Sequence, residues 1–395
     1  MVVSSKLQRH MAEGGWIRAM FEVGLALKQQ HGERNVFDLS LGNPVMEPPE
    51  QFHHELRRWA GQVTPGMHRY MPNLGYAETR AAVAAQLAAE TGLPFTMNQV
   101  AMSCGAAGGL NVVLKTLLNE GDEVIIFAPY FAEYIYYIDN HGGVSKVVSC
   151  DEGFNPDLHA LEAAITPRTK AVLINSPNNP SGAIYEPGLL HNLGALLRRK
   201  EAGFGTGIYL IGDEVYRKLV FDGLESPHVF PFHPRSIAVT SHSKDLALPG
   251  ERIGYIAVHP ECTGLAELMD GFAFCTRTLG FVNAPALMQY VVRTLQNVTI
   301  DVKEYERKRD FLHSHLTAMG YSVVKPQGAF YMFPKSPIAD DVALVKELQE
   351  RLVLTVPGRG FGLPGYFRIS YCVTDETIEG SLTGFRQVAR KFGLG

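Results

Sequence analysis

The chain has 395 residues, more than a single hydrophobic core usually serves, so two domains are expected. With 46% apolar and 19% charged residues it reads as a globular protein with a large core. A formal net charge of −4, with no Lys/Arg-rich block, argues against a nucleic-acid surface, and apolar runs such as "EVIIFAPYF" are far too short to span a bilayer. The N-terminus has no unbroken apolar stretch of the secretory kind. Cys104, Cys150, Cys262, Cys275 and Cys372 are scattered, odd in number and without a CxxC pair, which favours reduced thiols in a cytoplasm. His313 and His315 stand two apart on a helical pattern and so do not share a face, and HExxH is absent; no metal site is expected.

In chain order, "VFDLSLGNP" reads as a strand-like stretch that completes a smaller C-terminal unit. From about Gln99 to Val258, short apolar runs alternate with helical patterns. The runs are "QVAMS", "DEVIIF", "VSKVVSC", "KAVLIN", "GIYLIG", "SIAVTS" and "IGYIAV". β-Branched runs interleaved with helices predict a mostly parallel sheet covered on both faces. From about Val291 a long polar helix pattern leads to "YSVVKPQGAFYMFP", then to the helix "DVALVKELQERL" and the strand "YFRISYCV", a sequence that fits a smaller α+β unit. The expected architecture is α/β: residues 1–48 an N-terminal arm and part of the small domain, 49–290 the large domain, 291–395 the C-terminal small domain.

Ligands of such sheets bind beyond the carboxyl ends of the strands, which directs attention to the residue after each run. After "QVAMS", small residues open a helix. They permit close packing on the sheet, or they present the backbone N–H groups of Gly105, Ala106 and Ala107 to a phosphate. After "KAVLIN", "SPNNPSG" is a turn, and Asn179 could offer its amide to a ligand. After "GIYLIG", Asp213 either caps the next helix or faces a cationic ring nitrogen from a buried position, with Tyr216 three residues on. After "SIAV" comes "SHSKDLALPGERIG". Lys244 could be solvated surface; alternatively Ser241 and Arg252 hold phosphate oxygens while the Lys244 amine reaches a carbonyl on the same ligand. "PGRGFG" opens no strand–loop–helix unit and reads as a turn.

A phosphate cradle, a Schiff-base lysine, a carboxylate and an amide at successive strand ends together fit one cofactor, pyridoxal 5′-phosphate. From "LSLGNP" through "RYMPNLGYAETR", "SPNNPSG", "DEVY" and "SHSKDLALPGERIG" to "GAFY" and "FRISY", essentially the whole chain resembles the class I/II aminotransferases of the aspartate aminotransferase family, fold type I. The resemblance implies a seven-stranded, mostly parallel sheet between helices and a smaller α+β domain. It implies that Lys244 carries the cofactor and shuttles the proton, and that Asp213 keeps the pyridine nitrogen protonated so that the ring acts as an electron sink. Tyr216 and Asn179 would bond the ring's phenolic oxygen, and Ser241, Arg252 and the Gly105–Ala107 backbone would hold the phosphate. Phe131, in "APYF", would stack on the ring. Tyr70 would reach the phosphate of a neighbouring subunit, which implies a homodimer with shared sites. Gly42 and Arg368 match positions that hold the substrate α-carboxylate.

Amino acids and 2-oxo acids are the implied substrates, exchanged in two ping-pong half-reactions. Arg277, in "CTRTLGFVNAP", stands one residue off the spacing at which relatives place an arginine that meets a distal carboxylate from the partner subunit. If it reaches the pocket, aspartate with 2-oxoglutarate is the expected pair; otherwise uncharged or aromatic donors are. Two other functions remain open on this scaffold. One is a lyase, of the C–S lyase or aminocyclopropane-carboxylate synthase kind, whose lysine loop is similar; "SLGNP" favours the aminotransferase. The other is the cofactor-sensing part of a transcription regulator, for which the chain has neither room nor charge.

Overall fold

The structure, a computed structural model, describes residues 2–13, 15–62 and 64–394. Its strands are β1 (Phe37–Asp38), β2 (Val100–Ser103), β3 (Glu123–Ala128), β4 (Val144–Ser149), β5 (Thr169–Asn175), β6 (Tyr209–Asp213), β7 (Ser236–Ser241), β8 (Gly254–Val258), β9 (Tyr331–Met332), β10 (Val353–Leu354), β11 (Val356–Pro357) and β12 (Phe367–Ser370). The apolar runs between Gln99 and Val258 build one seven-stranded sheet in the order β2-β8-β7-β6-β5-β3-β4. Its strands are parallel except β8, which runs antiparallel to both β2 and β7.

The alternation of side chains explains why the inner runs are largely apolar, whereas the edge strand β4 carries Ser and Lys and leaves Val144 and Val147 exposed. Met102, Ile125, Phe127, Val172, Ile174 and Leu210 point to one face, against the helices Ala77–Thr91 and Pro187–Phe204. Ala101, Val124, Ile126, Leu173, Ile211 and Val239 point to the other, against Gly105–Leu117 and Leu265–Thr278. A strand covered on both faces has no polar side to present. The helix Gly105–Leu117 lies very close to the sheet: a Cβ on Gly109 would stand 2.7 Å from Val239 Cγ1. Small residues at this helix start therefore serve close packing, whatever else they do.

The second unit holds the antiparallel sheet β11-β12-β9 and the parallel pair β1-β10, with the helices Val302–Ala318, Asp341–Gln349 and Asp375–Lys391. The "VFDLSLGNP" stretch thus pairs with the C-terminal part of the chain through Phe37 and Asp38. Of "YSVVKPQGAFYMFP", Tyr331 and Met332 enter a ladder and Gly328 makes an isolated antiparallel bridge with Val220. Pro326 lacks the N–H that a longer ladder would need. "PGRGFG" forms a 3-10 turn over Gly358–Phe361.

The segment after β6 leaves the large sheet for the second core. Tyr216, Leu219 and Phe221 bury there with Phe330 and Tyr331. Asp222 closes the crossing, with Arg309 Nη1 donating to its Oδ2 at 2.7 Å. Among the described residues, no helix is long and apolar enough to cross a membrane. Among them, too, no cluster of His, Cys, Asp and Glu could hold a metal ion. All five cysteines are unpaired.

Candidate active site

Parallel strands β5, β6 and β7 end side by side at Asn175, Asp213 and Ser241. Beyond these ends lies a cavity of about 260 Å³. Gly42, Ala106, Ala107, Phe131, Asn179, Asp213, Tyr216, Ser241, Lys244, Arg252 and Arg368 all line it, drawn from positions as far apart as 42 and 368. Gly105 opens the helix at its edge.

Lys244 owes its position to an abrupt strand-to-helix change. Ser241 ends β7 and caps the one-turn helix His242–Asp245, its Oγ accepting from Ser243 N at 3.5 Å. The lysine three residues on lines the cavity and is half-buried there, Nζ donating to Gly42 O at 2.9 Å. Burial pushes its amine down to about 8, and the positive charges of Arg368 and Arg252 act in the same direction.

Asp213 is buried at the end of β6. Its Oδ2 accepts from Tyr134 Oη at 2.6 Å, while Oδ1 is buried with no partner. Burial raises its carboxyl to about 6 against the opposing pull of the Tyr134 bond. No helix begins after Asp213, so it is not a helix cap; residues 215–218 form turns. Asn175 braces the neighbourhood: its Nδ2 donates to Asp213 O at 2.8 Å and its Oδ1 accepts from Asn179 N at 2.7 Å.

One end of the cavity is built for an anion. Arg252 takes a left-handed conformation (φ 52°) and donates to Pro249 O at 2.9 Å. Its guanidinium lies against the start of the helix Gly105–Leu117, where a Cβ at Gly105 would stand 2.7 Å from Nη2. Gly105 (φ 68°) therefore has two reasons to be glycine, its backbone angle and this close approach. A guanidinium and a helix N-terminus converge with the hydroxyl-bearing Ser241 and Ser243.

The other end holds Arg368, buried on β12. Its guanidinium lies over the rings of Tyr331 (4.6 Å) and Phe361 (4.7 Å). Nη1 donates to Asn179 Oδ1 at 3.1 Å and Nη2 to Ser40 O at 2.6 Å, and Nε is buried without a partner. Phe131 lines the wall, its ring edge-on to Tyr134 at 5.4 Å.

Besides Gly105 at its edge, two expected residues lie outside this chain's cavity. Tyr70 is 88% exposed. Arg277 is exposed on the helix Leu265–Thr278, its guanidinium 5.3 Å from the Phe274 ring. Conversely, the sequence reading assigned no role to Tyr134, Tyr137, Asn175, Ser243 or Tyr331. Asn175 and Ser243 adjoin motifs that were read, and Tyr331 ends "GAFY". Tyr134 carried no local signal, because its partner lies 79 residues away.

Residues 34–384 match the family Aminotransferase class I and II. The chain is 34% identical over 364 residues to the aspartate/prephenate aminotransferase of Thermus thermophilus, covering 89% of this chain and 90% of the relative. It is 30% identical to aromatic-amino-acid aminotransferase 2 of Thermococcus litoralis, over 99% of each chain. Among solved structures, an aminotransferase from Eubacterium rectale superposes with a TM-score of 0.95 at 38% identity, covering 99% of both chains. The aspartate aminotransferase of Thermus thermophilus with maleate superposes at 0.85 and 29% identity, covering 98% of this chain and 100% of that one. With the fold, the cavity and these relatives in agreement, the chain belongs to the class I and II aminotransferases, pyridoxal-phosphate-dependent transferases that move amino groups between amino acids and 2-oxo acids.

Proposed function

We propose that this cavity binds pyridoxal 5′-phosphate on Lys244 and runs transamination between aspartate and 2-oxoglutarate. The observation that carries the reading is that the half-buried Lys244 amine, the unpartnered Oδ1 of Asp213 and the Arg368 guanidinium share one cavity. The donor set fits the group. Arg252, Ser241 and the Gly105–Ala107 backbone would hold its phosphate, Asp213 its ring nitrogen, Tyr216 and Asn179 its phenolic oxygen, and Phe131 its ring face. When bound, the cofactor supplies an electron sink for the substrate α-carbon.

The protein's own residues do the rest. With its carboxyl at about 6, Asp213 is ionised at neutral pH and can hold a proton on a ring nitrogen opposite Oδ1. Lys244, with its amine at about 8, is partly neutral near physiological pH, as a base that takes and returns the α-proton at Nζ must be. Arg368, held over two aromatic rings, orients the substrate through the α-carboxylate, with Gly42 beside it.

Relatives with aspartate aminotransferase in their names support the dicarboxylate pair. Among the described residues, the cationic side chains lining this cavity apart from Lys244 are Arg252 and Arg368. A distal carboxylate therefore calls for a cation from a partner, and the reading assigns it to Arg277 of a second copy, in a cytoplasmic homodimer where Tyr70 also crosses to the neighbouring phosphate. We divide the chain at about residue 48 and near 300. Burial of Val291, Val292 and Leu295 with the large-sheet core supports placing the second boundary somewhat beyond the 290 expected from the sequence.

Borohydride reduction followed by peptide mapping tests the assignment, and the label is expected on Lys244. A label on another lysine overturns it. Mixing the protein with single amino acids, and following conversion of the cofactor to its amine form, identifies the donor.

A further inference from the structure

Tyr331 occupies the point where the two halves of the site meet. It lies on β9, whose register sets Tyr331 opposite Ser370 and Met332 opposite Ile369 on β12, the strand that carries Arg368. Its ring stacks on the Arg368 guanidinium at 4.6 Å. Its hydroxyl lies 3.1 Å from Tyr216 Oη. That hydroxyl also fills the space above Gly42, where an added Cβ would stand 1.8 Å from it. Gly42 in turn accepts from Lys244 Nζ through its carbonyl. One side chain thus touches the carboxylate-binding arginine, the tyrosine at the cofactor position and the backbone that holds the lysine.

Resting on the transaminase reading above, we propose that Tyr331 is a positioning residue: its ring fixes the plane of Arg368, and its hydroxyl, donating to Tyr216, aims the Tyr216 proton into the cavity. Either hydroxyl can donate across the 3.1 Å contact, and the proposal takes Tyr331 as the donor. Burial holds Tyr216 well above the usual phenol range and Tyr331 at about 12, so each is a neutral hydroxyl with a single proton. One proton is spent between the two oxygens. If Tyr216 spent its own, it would have none for a ligand oxygen; with Tyr331 as donor, the Tyr216 proton is left for one. Both hydroxyls are on buried residues, where a misdirected donor is not rescued by bulk water.

The experiment is a double-mutant cycle of Tyr331→Phe and Tyr216→Phe in the holoenzyme, read by visible pH titration of the cofactor chromophore. In the same samples, the dissociation constant of maleate, an unreactive dicarboxylate, reports the Arg368 side. Tyr331→Phe keeps the ring and removes only the oxygen. It is expected to move the titration midpoint up by about one pH unit in the wild-type background, where the Tyr216 hydroxyl is no longer oriented, and not at all in Tyr216→Phe, which lacks the hydroxyl through which Tyr331 acts. Maleate affinity at a pH well below both midpoints is expected to stay within about twofold, since the stack on Arg368 survives. An unmoved midpoint, or the same shift with and without Tyr216, overturns the proposal. The transaminase reading fails differently: wild type itself would then show no chromophore on Lys244, or no conversion of it to the amine form by any amino acid.

Discussion

Asp213 is expected to cost the cofactor-free protein stability, and Asp213→Asn should recover part of it. A buried carboxyl raised from 3.8 to about 6 binds its proton more tightly in the folded than in the unfolded chain. Between those two values the folded state holds more protons, so stability falls as pH rises through the window and stays low above it. At about 1.4 kcal/mol per pH unit, this interval corresponds to about 3 kcal/mol lost above pH 6. The asparagine side chain would carry no charge and could still accept from Tyr134, but would leave a buried amide donor unpaired, which costs about 1 kcal/mol. The net expectation is a variant more stable than wild type by about 1–2 kcal/mol at pH 8 and less stable by about 1 kcal/mol below pH 4. Denaturant unfolding of both apoproteins at fixed protein concentration, from pH 4 to 8, measures the difference. A gap that does not change sign or size across that range would refute the argument. Pyridoxal phosphate binding should move the opposite way, weaker in the variant, because the destabilising charge is the one a ring-nitrogen proton needs.

Gly42→Ala forces a Cβ to within 1.8 Å of Tyr331 Oη, so Tyr331 must shift. A loss of about 1–3 kcal/mol in unfolding free energy and a lower kcat are expected, and native values of both would show that the contact relaxes freely. Arg277→Ala should lower kcat/KM for aspartate by about tenfold or more and leave alanine unchanged; equal effects on both substrates would remove Arg277 from the site. Tyr70→Phe should release pyridoxal phosphate about tenfold more readily. Hybrids of this variant with Lys244→Ala should regain activity, and a lack of complementation would count against a site shared between subunits.

The large sheet was legible because a strand buried on both faces is apolar along most of its length, so the inner runs announced themselves locally, and the exposed edge strand β4 was marked by its β-branched valines. The site was legible for a related reason. In a parallel sheet, the residue after each run stands at the same edge, so Asn179, Asp213, Ser241 and Lys244 could be gathered before any coordinates. "GAFY" and "FRISY" added Arg368 only through their resemblance to a family. Contacts with no local pattern stayed hidden. Tyr134 holds Asp213 from a short helix 79 residues earlier, and Tyr331 meets Tyr216 across 115 residues. Nothing in the spacing of "DEVY" says that Asp213 stays with the large sheet while Tyr216, three residues on, buries in the second core. Periodicity records which face of an element is buried. Which side chains meet there depends on how separate elements pack, and only the folded chain decided that for Asp213, Tyr216 and Arg368.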